Sequence, residues 1–181
     1  MTDKTSPIDQ TRKWLSSVII AHDLCPFASR EFEAGRIHYE LITAGDMQGQ
    51  LEAIIMACAA LDKQPQRETS LLVFPKGLDV FEDYLDLLDL ANGLLEQQGY
   101  EGTYQLASFH PAYRFADAAL DDPANFTNRS PYPLVHILRE ASVEAALKTY
   151  PNPENIPDRN IQLMQGLGLS AVKASLAACL K

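Results

Sequence analysis

The residues best suited to chemistry lie in one irregular segment, residues 108–140. It holds two imidazoles, His110 and His136, and the guanidinium of Arg129, which follows Asn128 directly. An imidazole titrates near neutral pH, so it can move a proton or bind a metal. A guanidinium holds a carboxylate or phosphate through two parallel hydrogen bonds. These residue types predict acid–base chemistry on a small anionic molecule.

The same segment is predicted to be an ordered loop. Long irregular segments are uncommon in compact domains and are usually functional or disordered. Disordered segments are poor in aromatic residues. This one carries five aromatic side chains, Phe109, Tyr113, Phe115, Phe126 and Tyr132. We therefore expect the segment to fold and to build a site.

An anion-binding position is predicted at residues 128–131, where a helix is expected to begin. Free N–H groups and the positive end of the helix dipole would meet an anion there, and Arg129 would add its fork. In the alternative, Ser130 is only a helix cap and Arg129 pairs with Asp121 or Asp122. The candidate substrate-binding residues are Lys76, Asn125, Asn128, Arg129, Ser130 and Arg139.

The histidines are candidate catalytic or metal-binding residues. His110 follows a predicted strand and precedes a proline, so it could act as acid or base, or could only bond a loop carbonyl. His136 and Glu140 are four residues apart, hence neighbours on a predicted helix. With His110 they could form a two-histidine, one-carboxylate metal site. A surface His–Glu pair is the alternative explanation of that spacing.

Cys25 is the third candidate catalytic residue. It precedes Pro26 just past a predicted helix, and a nucleophilic cysteine would need a positive neighbour to lower its pKa. A packed, unreactive thiol is the alternative. The odd number of cysteines disfavours a disulfide framework. His22 and His38 are predicted to be structural.

Composition limits the classes of function. A chain of 181 residues predicts one domain, residues 1–181. The formal net charge of −9 disfavours nucleic-acid binding, because no basic stripe is present to neutralise phosphates. Neither a leader peptide nor an apolar run of membrane-spanning length is found, so we expect a cytoplasmic protein without a membrane partner.

The order of predicted elements indicates an α/β fold. The expected elements are a helix over 6–23, a strand over 36–43, a helix over 47–61, a strand over 71–74, a helix over 81–95, a strand over 103–109, a helix over 130–149 and short closing helices. This predicts a small, mainly parallel three-stranded sheet with flanking helices and a C-terminal helical segment. The strand order stays open.

The ends of the predicted strands support a site in the long loop. Ligands of open α/β sheets gather beyond the carboxyl ends of the strands. Those ends lead into Gly45 and Asp46, then Lys76 and Gly77, then His110. This topological argument, and not a motif match, predicts that the three loops meet.

Four blocks carry a resemblance to a known family. They read LCPFA at 24–28, QLASFHP at 105–111, NFTNRSPYP at 125–133 and HILRE at 136–140. In this order the blocks resemble an uncharacterised bacterial family, domain of unknown function fourteen-fifteen, over most of the chain. The resemblance implies a bacterial, single-domain cytosolic protein and brings no established activity. It groups Cys25, His110, Asn125, Asn128, Arg129, His136, Arg139 and Glu140 as one set.

Three hypotheses follow from these patterns. The first is an enzyme acting on a small phosphate or carboxylate compound. Arg129, with Lys76 or Arg139, would hold the anion, Asn125 and Asn128 would orient it, and His110 or His136 would serve as acid or base. The second is a metal-dependent hydrolase or oxygenase that uses His110, His136 and Glu140. The third is a non-catalytic module that binds a ligand or a partner. The sequence leaves the cofactor, the substrate, the reaction and the oligomeric state open.

Overall fold

Four strands form one mixed sheet at the centre of the computed structural model, which describes residues 5–181. The strands are β1 (Ile37–Leu41), β2 (Thr69–Val73), β3 (Tyr104–Phe109) and β4 (Leu134–Arg139), in the spatial order β1-β2-β4-β3. β1 pairs with β2 in parallel, whereas β4 is antiparallel to both β2 and β3. The first three strands therefore share one direction, and β4 runs against them.

Helices cover both faces of the sheet. They are α1 (Pro7–Trp14), α2 (Ala28–Glu33), α3 (Met47–Lys63), α4 (Phe81–Gln97), α5 (Glu140–Thr149), α6 (Ile156–Leu167) and α7 (Leu169–Cys179). A π-helical segment, Leu15–Ile20, continues α1 without a break. Short 3-10 turns lie at Pro123–Thr127 and Pro153–Asn155. The predicted α/β class is confirmed.

Local sequence explains where several of these helices begin and end. Ser6 caps α1, because its hydroxyl accepts a hydrogen bond from the amide of Asp9 at 3.2 Å. Asp46 caps α3 in the same way through the amide of Gly49, at 2.8 Å. Gly168 separates α6 from α7 with a φ of +82°, which is a conformation that favours glycine.

The core consists of two apolar clusters, one on each face of the sheet. On one face, α3 and α4 pack against the sheet through side chains such as Ile54, Leu61 and Leu87, all fully buried. On the other face, α1, the π-helical segment, α6 and α7 surround Trp14 and Met164. The strands are buried between these helical layers, so their residues cannot alternate cleanly between apolar and polar types.

The predicted three-stranded, mainly parallel sheet is wrong, because β4 lies in its middle. Residues 134–139 were expected to continue a helix, since Leu134, Leu138 and Ala141 recur at helical spacing. A strand buried on both faces is apolar throughout, so it can satisfy the same spacing by coincidence. The helix begins only at Glu140.

Within residues 5–181, no helix combines the length and apolar character that a membrane crossing requires.

Candidate functional site

The three loops that follow β1, β2 and β3 meet at one end of the sheet, beyond the carboxyl ends of these strands. Gly77 has a φ of +83°, and a Cβ atom on it would lie 2.9 Å from the carbonyl oxygen of Gly45. His110, after β3, places its Nε2 atom 2.8 Å from the carbonyl oxygen of Leu78, after β2. The carboxyl ends of the strands thus gather as the shared strand direction requires.

His110 holds this end of the sheet together. Only 1% of the residue is exposed, and its ring lies 5.2 Å from that of Phe81 and 5.1 Å from that of Tyr84. Its Nδ1 atom accepts a hydrogen bond from the amide of Ala112 at 3.0 Å, so the proton is on Nε2, which donates to Leu78. Burial lowers the pKa of His110 and keeps the ring neutral. Both nitrogens bind main chain, and catalysis by His110 stays a prediction.

Asn125 and Asn128 fasten the loop to itself and to β3. The side chain of Asn125, fully buried, donates to the carbonyl of Ala119 at 2.8 Å and accepts from the amide of Phe115 at 3.1 Å. Asn128 donates to the carbonyl of Ser108 at 3.0 Å. The two amides therefore satisfy main-chain groups that the irregular loop would otherwise leave unpaired.

Arg129 also binds the loop, but does not use all of its donors. Its Nε donates to the carbonyl of Tyr113 at 3.0 Å and its Nη2 to that of Leu120 at 2.9 Å. The guanidinium lies 4.5 Å above the ring centre of Phe126. Within residues 5–181 no carboxylate lies within 4.0 Å of it, so the alternative, a pairing with Asp121 or Asp122, is not formed. Burial lowers the pKa of Arg129.

The predicted helix start at residues 128–131 is wrong. Ser130 is fully buried and donates to the carbonyl of Tyr132 at 2.6 Å instead of capping a helix. The two prolines that follow lead into β4, not into a helix. Because no helix begins there, no helix dipole can attract an anion at Arg129.

The helical pairing predicted for His136 and Glu140 is also wrong, because His136 lies in the middle of β4 and Glu140 is the first residue of α5. The Nε2 atom of His136 lies 2.7 Å from the hydroxyl of Thr69. The ring keeps some solvent contact, but burial lowers its pKa to about 4. Among the residues that the structure describes, no three His, Cys, Asp or Glu gather as metal ligands would.

Arg139 lies apart from Arg129. Arg139 is the last residue of β4, so it lies at the end of the sheet opposite the three loops. There its Nη2 donates to the carbonyls of Leu61 and Arg67 at 2.8 and 3.1 Å. It therefore binds the C-terminal end of α3 and not an anion at the loop. Lys76 is exposed in the turn after β2.

Cys25 lies in the turn between the π-helical segment and α2, half-buried against the apolar cluster of that face. Burial raises the pKa of its thiol, and the hydrogen bonds from the amides of Phe27 and Ala28 offset this only in part. A raised pKa favours the neutral thiol, which is the opposite of what a nucleophile needs. Cys25 therefore fits the alternative, a packed and unreactive thiol, better than a nucleophile.

A cavity of about 10 Å³ lies beside Arg129, between the loop, the π-helical segment and the last two helices. Its polar lining residues are Arg129, His22 and Ser175, and its walls are apolar. Within residues 5–181 the ring of His22 makes no hydrogen bond. His22 was predicted to be structural and is a candidate only because it lines this cavity; the one available signal was that this histidine continues the apolar stripe of the first helix.

The segment that carries His22 has an unusual backbone. π-Helices are rare, and they occur frequently at functional sites. Here six consecutive residues adopt one, directly before the turn that presents His22. Val18, inside that segment, lines the same cavity as Arg129. The cavity therefore combines a rare backbone conformation with a cation that has no carboxylate partner in the described chain.

Comparison with known proteins identifies the family but no relative of established activity. No curated protein and no solved structure matches the chain. A family described as proteins of unknown function, DUF1415, matches residues 6–174. This range includes all four of the sequence blocks and the cavity-lining residues Arg129 and His22. The chain belongs to the DUF1415 family.

Proposed function

We propose that this protein binds a small anionic molecule, a carboxylate or a phosphate compound, at Arg129. The observation that carries the proposal is a half-buried arginine that lines a small cavity and whose guanidinium has no carboxylate partner among residues 5–181. Burial of a cation without a counter-ion is unfavourable, and a bound anion would offset that cost.

Arg129 keeps a free donor with which it could bind an anion. Its Nε and Nη2 atoms already donate to loop carbonyls, whereas Nη1 makes no hydrogen bond within the described chain. His22 and Ser175 line the same space and can supply further hydrogen bonds. The cavity holds roughly one water molecule, so one small group of the ligand enters it and the remainder stays at the mouth.

Catalysis at this site would depend on His22. Its imidazole lines the cavity with Arg129, whereas the ring nitrogens of His110 are bound to main chain and His136 lies within the sheet. A histidine next to a bound anion is placed to act as general acid or base. We therefore infer, as the second candidate function, an enzyme in which His22 is the acid or base. Turnover that is lost when His22 is replaced would favour this enzyme over a protein that only binds the ligand.

Tryptophan fluorescence can test anion binding directly. Trp14 is the chain's single tryptophan, and its Nε1 donates to the carbonyl of Arg129 at 3.0 Å. Inorganic phosphate and acetate titrated into the intact chain should give a saturable change in emission. Arg129→Lys should weaken binding by about ten-fold, since lysine lacks the planar fork. His22→Gln, which leaves the loop's hydrogen bonds intact, should weaken it less.

Arg114→Gln is the matched control. Arg114 is exposed on the same loop, so this variant removes one positive charge without changing the cavity. Its affinity should stay within about two-fold of the parent. Equal losses in the Arg114 and Arg129 variants would show a general charge effect and would count against the proposed site. An absence of saturable binding for both anions would count against it as well.

A further inference from the structure

The strand β1 lies at one edge of the sheet, and its outer side is open. The amide of Ile42, directly after β1, donates to the carbonyl of Val73 at 2.8 Å, on the side of β2. Because alternate residues of a paired strand bond the same neighbour, the main-chain groups of Ile37, Tyr39 and Leu41 face away from β2. No loop and no side chain among residues 5–181 forms a hydrogen bond with them.

The other edge strand, β3, is closed at both ends. The amide of Tyr104 donates to the carbonyl of Tyr100 at 3.1 Å, and the side chain of Asn128 donates to the carbonyl of Ser108 at 3.0 Å. Natural proteins commonly protect sheet edges by covering them in this way. A further strand can therefore extend the sheet at β1 and not at β3.

The side chains of β1 are self-complementary. In order, they are isoleucine, histidine, tyrosine, glutamate and leucine. When this strand pairs antiparallel with its own copy about Tyr39, each residue lies opposite the one at the mirrored position. His38 then lies opposite Glu40, and Ile37 lies opposite Leu41. Every pair across the two strands thus joins an imidazole to a carboxylate, two apolar side chains, or the two tyrosines.

The charges of β1 select this partner. The side chains of His38 and Glu40 both reach solvent, on the same face of the strand and with Nε2 and Oε2 3.7 Å apart. An imidazole N–H donates to a carboxylate whether the ring is neutral or protonated. Complementary groups directly opposite each other stabilise a strand pair, and like charges destabilise it. A second copy of β1 meets this condition at both positions.

We propose that two copies of this chain form a dimer by antiparallel pairing of β1 about a two-fold axis at Tyr39. The outward main-chain groups of Ile37, Tyr39 and Leu41 then bond one another, and one sheet runs through both copies. Leu41 is a large apolar side chain that is 37% exposed. In the dimer it lies against Ile37 of the second copy, beside the cleft of about 230 Å³ that Ile37 and Phe32 line.

Sedimentation velocity of the intact chain tests the dimer. At about 0.15 M ionic strength, which screens the net charge of −9, the chain should sediment as a dimer whose fraction rises with concentration. His38→Glu places two carboxylates opposite each other, so the dissociation constant should rise at least about ten-fold. Asn92→Asp, which adds one negative charge at an exposed position of α4, should leave it unchanged.

Mixing two variants tests the register of the strands. His38→Glu makes both positions acidic, and His38→Lys combined with Glu40→Lys makes both basic. Each variant alone should be mainly monomeric. An equal mixture should form a mixed dimer, because each acidic side chain then lies opposite a basic one. A change that only weakened the fold of the single variants would not be reversed by mixing.

Amide hydrogen exchange locates the contact. The amide of Tyr39 faces away from β2, so it should exchange at least about ten-fold more slowly in the dimer than in the His38→Glu variant. Arg129→Lys should leave the dimer unchanged, because the pairing does not involve the anion site.

Four results would overturn the proposal. They are a chain that stays monomeric up to about 1 mM, a dimer that survives His38→Glu, a mixture of the two variants that does not associate, and fast exchange of the Tyr39 amide in the dimer.

Discussion

Asn125 makes one of the strongest local contributions to the long loop, and its replacement should be costly. Its amide binds the main chain at Ala119 and at Phe115 from a fully buried position. Asn125→Ala removes two hydrogen bonds and leaves the part-buried N–H of Phe115 unpaired, so we expect the free energy of unfolding to fall by about 2 kcal/mol. Urea denaturation followed by circular dichroism measures this change.

Asn92→Ala is the control for that measurement. Asn92 is exposed on α4, so its removal should change the free energy of unfolding by no more than about 0.5 kcal/mol. A loss at Asn125 as small as the change at Asn92 would mean that the loop does not depend on this amide.

His136 should make stability depend on pH. Burial lowers the pKa of His136 in the folded protein to about 4, below its ordinary value of about 6.5. The unfolded chain therefore binds the proton more readily, so this stabilisation is complete above about pH 6.5 and is lost as the pH falls towards 4. The loss approaches about 3 kcal/mol as an upper limit, and is smaller because the ring keeps some solvent contact.

His136→Gln isolates this effect from the titration of carboxylates, which is common to both proteins. The free energy of unfolding, measured in urea at several pH values, should decline less steeply in the variant between pH 6.5 and 4. Parallel curves for the two proteins over that range would show that His136 titrates as it does in the unfolded chain.

At the residue scale, the sequence predicted that the loop is ordered but not which groups its side chains bind. The aromatic side chains of residues 108–140 predicted an ordered loop, and the structure shows that Asn125, Asn128 and Arg129 bind its main chain. The same donors serve a ligand or the loop itself, and only coordinates distinguish the two uses. Asn125 thus binds Ala119 and Phe115. His22 was missed because nothing in its local sequence indicates that Arg129, more than a hundred positions later, lies across a cavity from it.

At the scale of elements, the C-terminal end of α3 is held by a residue of β4, more than seventy positions later in the chain. Arg139 donates to the carbonyls of Leu61 and Arg67, and its guanidinium lies 5.7 Å from the ring centre of Tyr104. A cation at the C-terminal end of a helix also interacts favourably with the helix dipole. Arg139→Met should therefore lower the free energy of unfolding by about 2 kcal/mol. Amide hydrogen exchange should become faster over residues 61–67.

Arg67→Met serves as the comparison for Arg139. Arg67 lies in the same contact, but it takes part through its main-chain carbonyl. The change should therefore cost no more than about 0.5 kcal/mol, and hydrogen exchange at the end of α3 should stay slow. If both variants accelerate exchange equally, the hydrogen bonds of Arg139 are not what holds that end.

The wrong prediction of a helix at β4 shows which element the sequence pattern could not identify. Each of the first three strands was found because it ends at a recognisable turn or helix cap. β4 passes into α5 without an intervening loop, so a single periodic stretch covers a strand and a helix. Its pairing with β2 and β3 is non-local, and local propensity cannot report it.

For the whole molecule, the sheet is the shared wall between two apolar clusters. Leu71 and Leu72 are neighbours on β2, yet Leu71 belongs to the cluster with Trp14, while Leu72 belongs to the cluster with α3 and α4. β4 completes both clusters, through Leu134 on one face and Val135 on the other. Loss of packing on one face of the sheet should therefore destabilise the strands on which the opposite cluster also packs.

This arrangement predicts one cooperative unfolding transition, because the two clusters share the strands between them. Two cysteines report the two faces separately: Cys58, on α3, is fully buried in one cluster, and Cys179, on α7, is fully buried in the other. Brief thiol labelling across a urea series, with each site located by mass spectrometry, should give the same midpoint for both. Cys25, half-buried in the native fold, serves as the internal reference for labelling without unfolding. Midpoints that differ between Cys58 and Cys179 would mean that the two helical layers unfold as separate units, although they share the strands between them.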